Sequence, residues 1–272
     1  MSYELSLGIV IPAWNAASTL AETLRSVEGL RRHGALVVVV DGGSTDDTRT
    51  IAARYDAPVI EDLNGLYASL NRGFRSLASD WLTWINADDI LYSDTVRARL
   101  AFQKEADISY GRVDFIDDAG RFMHSWLSAA PRQLLGLYRG GYSPLLQQGT
   151  LFRRRVFETV EGFDETYRFV GDADFFWRAI ECGFRASRET FPPVAAFRLH
   201  RSQLSQRYAD EMRREHDEMV RRHGGRRHQI RSTVDAVTWR LRNASSYLGR
   251  ALRRHQLDGR WGMPGSYSVH TS

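Results

Sequence analysis

Two kinds of segment alternate along the first hundred residues. Short apolar runs of strand length occur at 6–12, 35–41, 58–61 and 81–85. Between the first two runs, Leu20, Leu24, Val27 and Leu30 recur at steps of three and four residues, the spacing of one helix face. Further helices are predicted from about 44 to 55, over 67–77 and from 93. Uninterrupted apolar strands separated by helices are typical of a parallel sheet that is covered on both faces.

The second part of the chain has a different pattern. Residues 108–127 contain two β-like runs joined by Asp-Asp-Ala-Gly at 117–120, which predicts a hairpin. A helix is predicted near 174–182 and a strand near 194–199, and beyond Gln203 the chain becomes helical and rich in arginine. We therefore expect an α/β fold with an open, mostly parallel twisted sheet flanked by helices, a small antiparallel element and a C-terminal helical extension.

Composition narrows the class of protein. A length of 272 residues with 43% hydrophobic and 26% charged residues fits one large globular domain. Cys182 is the only cysteine, which excludes an internal disulfide and a cysteine-rich metal site. No apolar run approaches the ~20 residues that cross a bilayer, and the start of the chain lacks the pattern of a secretory signal. These features predict a cytoplasmic protein.

Charge is distributed unevenly. Residues 1–197 carry 21 Lys and Arg against 26 Asp and Glu, whereas residues 198–272 carry 16 against 7. In the basic end, apolar residues recur among arginines at Val234, Val237, Leu241, Leu248 and Leu252. Such a helix suits peripheral contact with an anionic membrane at the inner face of the cell membrane. The alternative is a helix that packs on its own domain or on another subunit.

Acidic and amide side chains follow the predicted strands. They are Asn15, Asp41, Asn86, Asp88 and Asp89. Because ligands of open α/β sheets bind at the carboxyl ends of the strands, these residues mark the candidate site. No GxGxxG and no GxxxxGK[ST] occurs, which argues against a dinucleotide-dependent dehydrogenase and a P-loop NTPase. An acidic site that holds an anionic ligand usually recruits a hard divalent cation.

Several blocks, in order, carry a resemblance to a known family. They are IVIPAWNAASTLAETLRSV, VVVVDGGSTDDT, NGLYASLNRGFRSLASDWLTWINADD, QQGTLFRR, GFDE, VGDADFFWR and RLHRSQLS. Together they resemble family 2 of the glycosyltransferases, whose nucleotide-sugar-binding half has the GT-A fold, with enzymes of bacterial surface polysaccharides as the nearest type. The resemblance implies a metal-dependent inverting enzyme that moves a sugar from a nucleotide diphosphate sugar, expected to be UDP-linked, to a hydroxyl of a glycan or lipid-linked acceptor.

The resemblance also implies a division of the chain. Residues 1–205 would form the glycosyltransferase domain, with a nucleotide-sugar-binding half at 1–105 and an acceptor half at 106–205. Residues 206–272 would form the arginine-rich helical extension.

The donor site follows from the resemblance residue by residue. INADD at 85–89 stands at the family's DxD-type motif, so Asp88 and Asp89 are expected to hold Mg²⁺ or Mn²⁺, with Asn86 replacing the first carboxylate. Asp41 matches the position that contacts the base, and Gly42 stands where a second Asp is common. His200 is a further candidate metal ligand. The remaining expected donor contacts are Pro12, Ala13, Asn15, Asn71, Arg72, Asn86, Ala87 and Asp88.

Asp172 matches the family's catalytic base. An acceptor hydroxyl is a weak nucleophile, so a carboxylate within hydrogen-bond reach must take its proton. From the residues alone, Asp172 is also a good helix N-cap, and the helix N-terminus would lower its pKa. Asp174 is the competing candidate. Trp14 and Trp177 are candidates for contact with the sugar.

Each candidate also has a purely structural explanation. Asp88 and Asp89 could be a turn before a helix, Asp41 could begin a glycine turn, and His200 could be a surface residue.

Two other functions also remain open for the whole protein. A sugar-1-phosphate nucleotidyltransferase would ordinarily carry a Gly- and Arg/Lys-rich loop after the first strand, which AWNAAST is not. The other is a non-catalytic protein whose arginine-rich end binds a membrane surface or nucleic acid, although no nucleic-acid-reading motif is present and nucleic acid is not the expected partner.

Overall fold

The structure is a computed structural model that describes residues 6–102, 105–200, 203, 207–225 and 229–247. The strands are β1 (Leu7–Ala13), β2 (Leu36–Asp41), β3 (Val59–Glu61), β4 (Trp81–Trp84), β5 (Ile90–Leu91), β6 (Ile108–Ile116), β7 (Phe122–Leu127), β8 (Leu151–Arg153), β9 (Ala186–Glu189) and β10 (Ala195–Arg198). The helices are α1 (Leu20–Arg31), α2 (Thr48–Arg54), α3 (Leu66–Ser76), α4 (Ser93–Phe102), α5 (Pro131–Arg139), α6 (Arg154–Thr159), α7 (Gly171–Glu181), α8 (Ala209–Arg222) and α9 (Gln229–Arg242).

In the described part of the chain these strands form a sheet with the order β3-β2-β1-β4-β8-β6-β10-β5, and β7 and β9 also pair with β6. The pairs β1–β2, β1–β4 and β2–β3 are parallel, whereas β8 runs antiparallel to both β4 and β6. Strands β6 and β7 form the predicted antiparallel hairpin. The expected fold class is confirmed: a mostly parallel sheet flanked by helices, with a few antiparallel strands and C-terminal helices.

The apolar runs are uninterrupted because both faces of the sheet are covered. In β1, Ile9 and Ile11 face one buried cluster together with α1, while Val10 faces the other together with α3. Burial of a Val or Ile side chain stabilises a fold by about 1.5–3 kcal/mol, so every strand position contributes. Helix α3 lies so close to the sheet that a Cβ at Gly73 would be 2.7 Å from Val10.

The described C-terminal helices pack on α5 and α7. Met219 and Val220 of α8, and Ala236 and Trp239 of α9, join the same buried cluster as α5 and α7. The indole Nε1 of Trp239 donates to the carbonyl of Leu127 at 2.8 Å. These contacts favour the sequence-based alternative in which the extension packs on its own domain.

The apolar residues that predicted α9 lie on its outer face. Val234, Val237 and Leu241 are 62%, 49% and 69% exposed. Leu248 and Leu252, which continue the same stripe in the sequence, lie outside the described residues. Among the described helices, none has the length and apolar character that crossing a membrane requires.

Candidate active site

Asp41 ends β2 directly opposite Ala13, the last residue of β1. Its carboxylate is buried, accepts hydrogen bonds from the backbone N–H and hydroxyl of Ser44, and pairs with Nε of Arg49 at 2.6 Å. Burial would raise the pKa of Asp41, but the bonds from Ser44 and Arg49 outweigh it and hold the pKa below its usual range. Asp41 is therefore an ionised anchor for the loop that follows β2.

The loop after β1 is tied to the same segment. Asn15 has a left-handed backbone (φ 47°), and its side-chain oxygen accepts the backbone N–H of Thr45 at 2.9 Å. The backbone N–H of Gly42 donates to the carbonyl of Ala13 at 2.8 Å, so Pro12 and Ala13 lead directly into this corner. Trp14 lies beside Gly42 and is 63% exposed. An exposed indole is thus presented at the carboxyl edge of β1 and β2.

Asp88 and His200 meet at the same edge of the sheet. Their side chains lie 2.9 Å apart (Oδ2 to Nε2) and are 26% and 24% exposed. Arg198 brings the two segments together, because its Nε donates to the carbonyl of Asp88 at 2.8 Å from the end of β10. Both residues were named as candidate metal ligands, and the structure brings them together although they are 112 positions apart.

The carboxylate of Asp89 points into the protein instead. It is fully buried and accepts the backbone N–H of Arg198 at 2.8 Å, with Gln148 Nε2 at 3.4 Å and Asn86 Nδ2 at 3.3 Å as further donors. Burial, and then the charge of Asp88, raise its pKa well above the ordinary value. Asp88 and Asp89 were both expected to hold the metal; of the two, Asp88 has the open carboxylate, because that of Asp89 accepts the backbone N–H at the end of β10. Asn86 supplies a donor to Asp89 that a carboxylate would lack.

The open groups at this edge fit a divalent cation bound together with a diphosphate. Among the described residues there is no cluster of three or more His, Cys, Asp and Glu side chains that could hold a metal. Asp88 and His200 offer two ligands, one oxygen and one nitrogen. Mg²⁺ in particular is commonly held by one or two carboxylates, with substrate phosphates and water completing the coordination, so Asp88 is the better suited of the two. Ala87, which precedes Asp88 in the chain, is buried.

Asn71 and Arg72 have different surroundings from those expected. The buried amide of Asn71 donates to the carbonyl of Phe163 at 2.9 Å and to Glu165 at 2.8 Å, and its oxygen accepts the backbone N–H of Phe163. These bonds fix the 162–165 turn rather than presenting Asn71 to a ligand. Arg72 is exposed and donates to the carbonyl of Glu61 at 2.8 Å, which leaves it on the outer side of β3.

Asp172 lies in the first turn of α7. The N-cap position belongs to Val170, so the structure does not place Asp172 at the cap. The phenol of Tyr67 donates to Oδ1 of Asp172 at 3.3 Å. Tyr67 stands in the first turn of α3, the helix that follows β3, so Asp172 is held at the carboxyl edge of the parallel strands. Burial raises the pKa of Asp172, the opposite of the effect expected from a helix N-terminus.

Asp174 is fully occupied by structural contacts. Its buried carboxylate pairs with Nε of Arg178 at 2.7 Å and with Nε2 of His223 at 2.9 Å. Arg178 in turn donates to the carbonyl of Gly162 at 2.8 Å. Within the described residues Asp172 forms no salt bridge, so the geometry favours Asp172 over Asp174 as the group that can accept a proton.

Trp177 is completely buried and stacks between Tyr138 and His223. The prediction that it contacts a sugar is therefore wrong, because the indole belongs to the core that joins α5, α7 and α8. The sequence reasoning missed Tyr67 and also Glu215 of α8, whose carboxylate accepts the backbone N–H groups of residues 168–170 in front of α7. Tyr67 lies in a helix-predicting segment with no signal of its own, and Glu215 lies in the arginine-rich extension among other charged residues.

The comparisons with known proteins agree with the resemblance. The family model described as Glycosyl transferase family 2 matches residues 8–160. The chain belongs to this family. A relative named PGL/p-HBAD biosynthesis glycosyltransferase, from Mycobacterium bovis and Mycobacterium tuberculosis, is 32% identical over 200 residues, which cover 70% of this chain and 75% of the relative.

Solved structures give the fold of this glycosyltransferase. S. aureus TarS 1-349 in complex with UDP-GlcNAc matches with a TM-score of 0.60 at 16% identity, over 93% of this chain and 76% of that one. A mannosyltransferase from Pyrobaculum calidifontis in complex with GDP-Man and Mn²⁺ matches with a TM-score of 0.56 at 16% identity, over 95% of this chain and 82% of that one. The GT-A architecture is thus confirmed.

Proposed function

We propose that this family 2 glycosyltransferase is a metal-dependent inverting enzyme that transfers a sugar from a UDP-linked donor to a hydroxyl of a glycan or lipid-linked acceptor. The observation that carries the proposal is that the acidic side chains at one edge of the sheet have different surroundings. Asp41 and Asp89 are buried anchors, Asp88 and His200 form an open pair, and Asp172 is a carboxylate without a cationic partner among the described residues.

Asp88 and His200 would hold Mg²⁺ or Mn²⁺ together with the donor diphosphate. When bound, the cation supplies Lewis-acid stabilisation of the negative charge that develops on the departing phosphate oxygen. Ala13, Asn15 and Gly42 would line the donor site, and the exposed indole of Trp14 would provide an aromatic face against which the donor packs.

Asp172 would take the proton of the acceptor hydroxyl. As the acceptor oxygen attacks the anomeric carbon, the new carbon–oxygen bond forms while the bond to the phosphate oxygen breaks, and the nucleoside diphosphate leaves with the bonding electron pair. One displacement inverts the configuration. A pKa raised by burial makes Asp172 a stronger base than an exposed aspartate, provided that it remains ionised at the working pH.

The similar proteins support the substrate class. Nucleotide sugars are bound in the TarS and P. calidifontis structures. The mycobacterial relative carries a biosynthetic glycosyltransferase name, which supports a place in polysaccharide or glycolipid biosynthesis.

The test combines binding and turnover. We expect UDP to raise the melting temperature and to bind more tightly by calorimetry when Mn²⁺ is present, and a panel of UDP-sugars to include one that the protein hydrolyses slowly to UDP. If GDP binds more tightly than UDP, the proposal that the donor nucleotide carries uracil is wrong. Synthesis of a UDP-sugar from UTP and a sugar 1-phosphate would support the nucleotidyltransferase alternative. Absence of any nucleotide or nucleotide-sugar binding would overturn the proposal.

We also propose that the outer face of α9 lies on an anionic membrane surface, at the inner face of the cell membrane. The exposed apolar stripe of Val234, Val237 and Leu241 runs beside the exposed Arg242, a combination that suits acyl chains and lipid phosphates. The full chain should sediment with vesicles of phosphatidylcholine and phosphatidylglycerol, but not of phosphatidylcholine alone. The double change Val234→Ser and Val237→Ser should abolish sedimentation, and Val59→Ser, another exposed valine, should not. Equal sedimentation of all three proteins would overturn this proposal.

A further inference from the structure

The segment in front of α7 is held by a single carboxylate from the C-terminal part of the chain. Glu215 of α8 accepts the backbone N–H of Arg168 at 2.7 Å with Oε1, and those of Phe169 and Val170 at 2.6 and 3.0 Å with Oε2. Val170 is the N-cap residue of α7 and has no side-chain cap of its own. One side chain therefore satisfies three consecutive backbone donors that lead directly into the helix carrying Asp172.

Glu215 projects from a firmly packed support. Met219 and Val220, one turn further along α8, are completely buried. At the end of the helix, His223 contacts Asp174 at 2.9 Å and stacks on Trp177 of α7. Glu215 thus contacts the residues that begin α7, and His223, at the end of α8, contacts Asp174 and Trp177 within α7. Helices α7 and α8 are therefore packed against each other.

The partner of Asp172 is equally fixed. Tyr67 is buried, stacks on Phe163 with ring centroids 5.8 Å apart, and lies so close to α7 that a Cβ at Gly171 would be 2.8 Å from its ring. The hydrogen bond from Tyr67 to Asp172 is already 3.3 Å long. A small displacement of residues 168–170 would break it, because the ring cannot follow.

We propose that Glu215 is a positioning residue for the transfer reaction: by accepting the backbone N–H groups of residues 168–170, it holds Asp172 against Tyr67 at the carboxyl edge of the sheet. This inference rests on the proposed function of Asp172 as the base. It assigns a role in the chemistry to the C-terminal extension, which lies beyond the residues 8–160 that the family model matches.

The chemistry of Glu215 also explains why a carboxylate stands there. Two oxygens that only accept can serve three N–H groups, whereas the nitrogen of a glutamine would oppose one of them.

The negative charge of Glu215 also affects the pKa of Asp172. Burial, and to a smaller extent the charge of Glu215, raise the pKa of Asp172. The other titratable groups near Asp172 are Tyr67 from α3, Tyr138 from α5, and Asp174 on α7 itself.

The experiment compares Glu215→Gln with Glu218→Gln. Glu218 lies one turn along the same helix and pairs with Arg221 and Arg222 at the surface, so its change removes the same charge without touching residues 168–170. We expect Glu215→Gln to lower kcat for UDP-sugar hydrolysis or transfer by roughly ten- to a hundredfold, since small misplacements of catalytic groups cost that much. Donor KM should change less than about twofold, because the donor binds at Asp88 and Trp14.

The pH profile separates positioning from general stability. Because a nearby negative charge raises the pKa of Asp172, Glu215→Gln should move the acidic limb of kcat to lower pH, and Glu218→Gln should not. Glu215→Asp keeps the charge but is one methylene shorter, so it should lower kcat while leaving the acidic limb in place. Amide exchange of residues 168–170 should become faster in both Glu215 variants, which can be measured without any activity.

The outcomes are distinguishable. Wild-type protein that neither binds nor turns over a nucleotide sugar overturns the proposed function. Active wild-type protein with Glu215→Gln equal to Glu218→Gln in kcat and pH profile overturns the role of Glu215 alone. If Glu215→Gln does not fold, Glu215→Asp carries the same test, and unchanged kcat and amide exchange in that variant would refute the inference.

Discussion

The candidate site has two sides that are assembled in different ways. On the donor side, Asp41 ends β2, whose pairing with β1 fixes its position, while Asp88 and His200 lie in the loops after β4 and β10, which Arg198 joins. On the acceptor side, Asp172 is placed by helices α3, α7 and α8, through Tyr67 and Glu215. The first side combines strand pairing with the contacts of Arg198, whereas the second depends on side-chain contacts between helices. Substitutions should therefore weaken binding on one side and turnover on the other.

The largest expected effect is that of Asp172→Asn. Without a base, the acceptor hydroxyl keeps its proton, so kcat should fall by roughly 10²–10⁴-fold. Donor affinity should stay near the wild-type value, because the strand-end side of the site is intact. The measurement is kcat together with the calorimetric affinity for UDP and Mn²⁺.

Asp174→Asn is the matched control for Asp172→Asn, two residues away in the same turn. It weakens the buried contacts with Arg178 and His223, so it should lower the free energy of unfolding by about 1.5–3 kcal/mol while leaving kcat of the folded protein within a few-fold. The opposite result, normal turnover in Asp172→Asn and loss in Asp174→Asn, would move the base to Asp174.

The pH dependence tests the same assignment without a variant. The base must be ionised, so kcat should fall about tenfold per pH unit below the pKa of Asp172. Burial raises that pKa, which places the acidic limb above the ordinary aspartate value of 3.8. A rate that stays constant down to pH 4 would show either that Asp172 is not the base or that its carboxylate is solvated during turnover.

On the donor side, Asp88→Asn should have the next largest effect. Removal of the open carboxylate should weaken UDP binding in the presence of Mn²⁺ by about tenfold or more, and leave the weaker binding without metal unchanged. Asp89→Asn is the contrast, because Asp89 is buried against Arg198 and Gln148. That change should lower the melting temperature but preserve the strengthening of UDP binding by Mn²⁺. Loss of the metal effect in both variants would restore Asp89 as a metal ligand.

The difference between the two sides also decides what the sequence could predict. Seven of the ten described strands and most helices were predictable because apolar periodicity and chain alternation are local signals, and the ends of parallel strands must share one edge. The other three strands, β5, β8 and β9, were not predicted. The family resemblance added His200, and the strand-end reasoning brought Asp41 and Asp88 toward one site. It could not separate Asp88 from Asp89, because the direction of two adjacent side chains in a turn depends on contacts with Arg198, more than a hundred residues away.

The acceptor side was less predictable because it, too, depends on contacts between residues that are far apart in the sequence. Nothing local to Tyr67, Asn71 or Glu215 indicates a partner in the 162–172 segment. Helix α5 did have a signal that was not used, since Pro131 begins it and Leu134, Leu137 and Tyr138 follow at helical spacing. The face of α9 was the hardest case. Its packed side carries Trp239 together with the small residues Ser232 and Ala236, while the apolar stripe of Val234, Val237 and Leu241 points to the opposite face.

Trp14 gives the smallest predicted effect and tests how far the donor cleft extends. Trp14→Ala removes an exposed aromatic surface beside Gly42, so it should weaken UDP binding by about fivefold, in the range of a single aromatic contact of about 1 kcal/mol. Trp14→Phe should keep most of the affinity, and neither variant should change the metal dependence that Asp88 provides. Because Trp14 is exposed in the free protein, stability should be unaffected, which allows the change in affinity to be attributed to direct contact. Trp14→Ala could instead bind UDP as tightly as the wild type but have a raised KM for the intact UDP-sugar. In that case the indole contacts the sugar, and the uracil base of the donor lies away from β1.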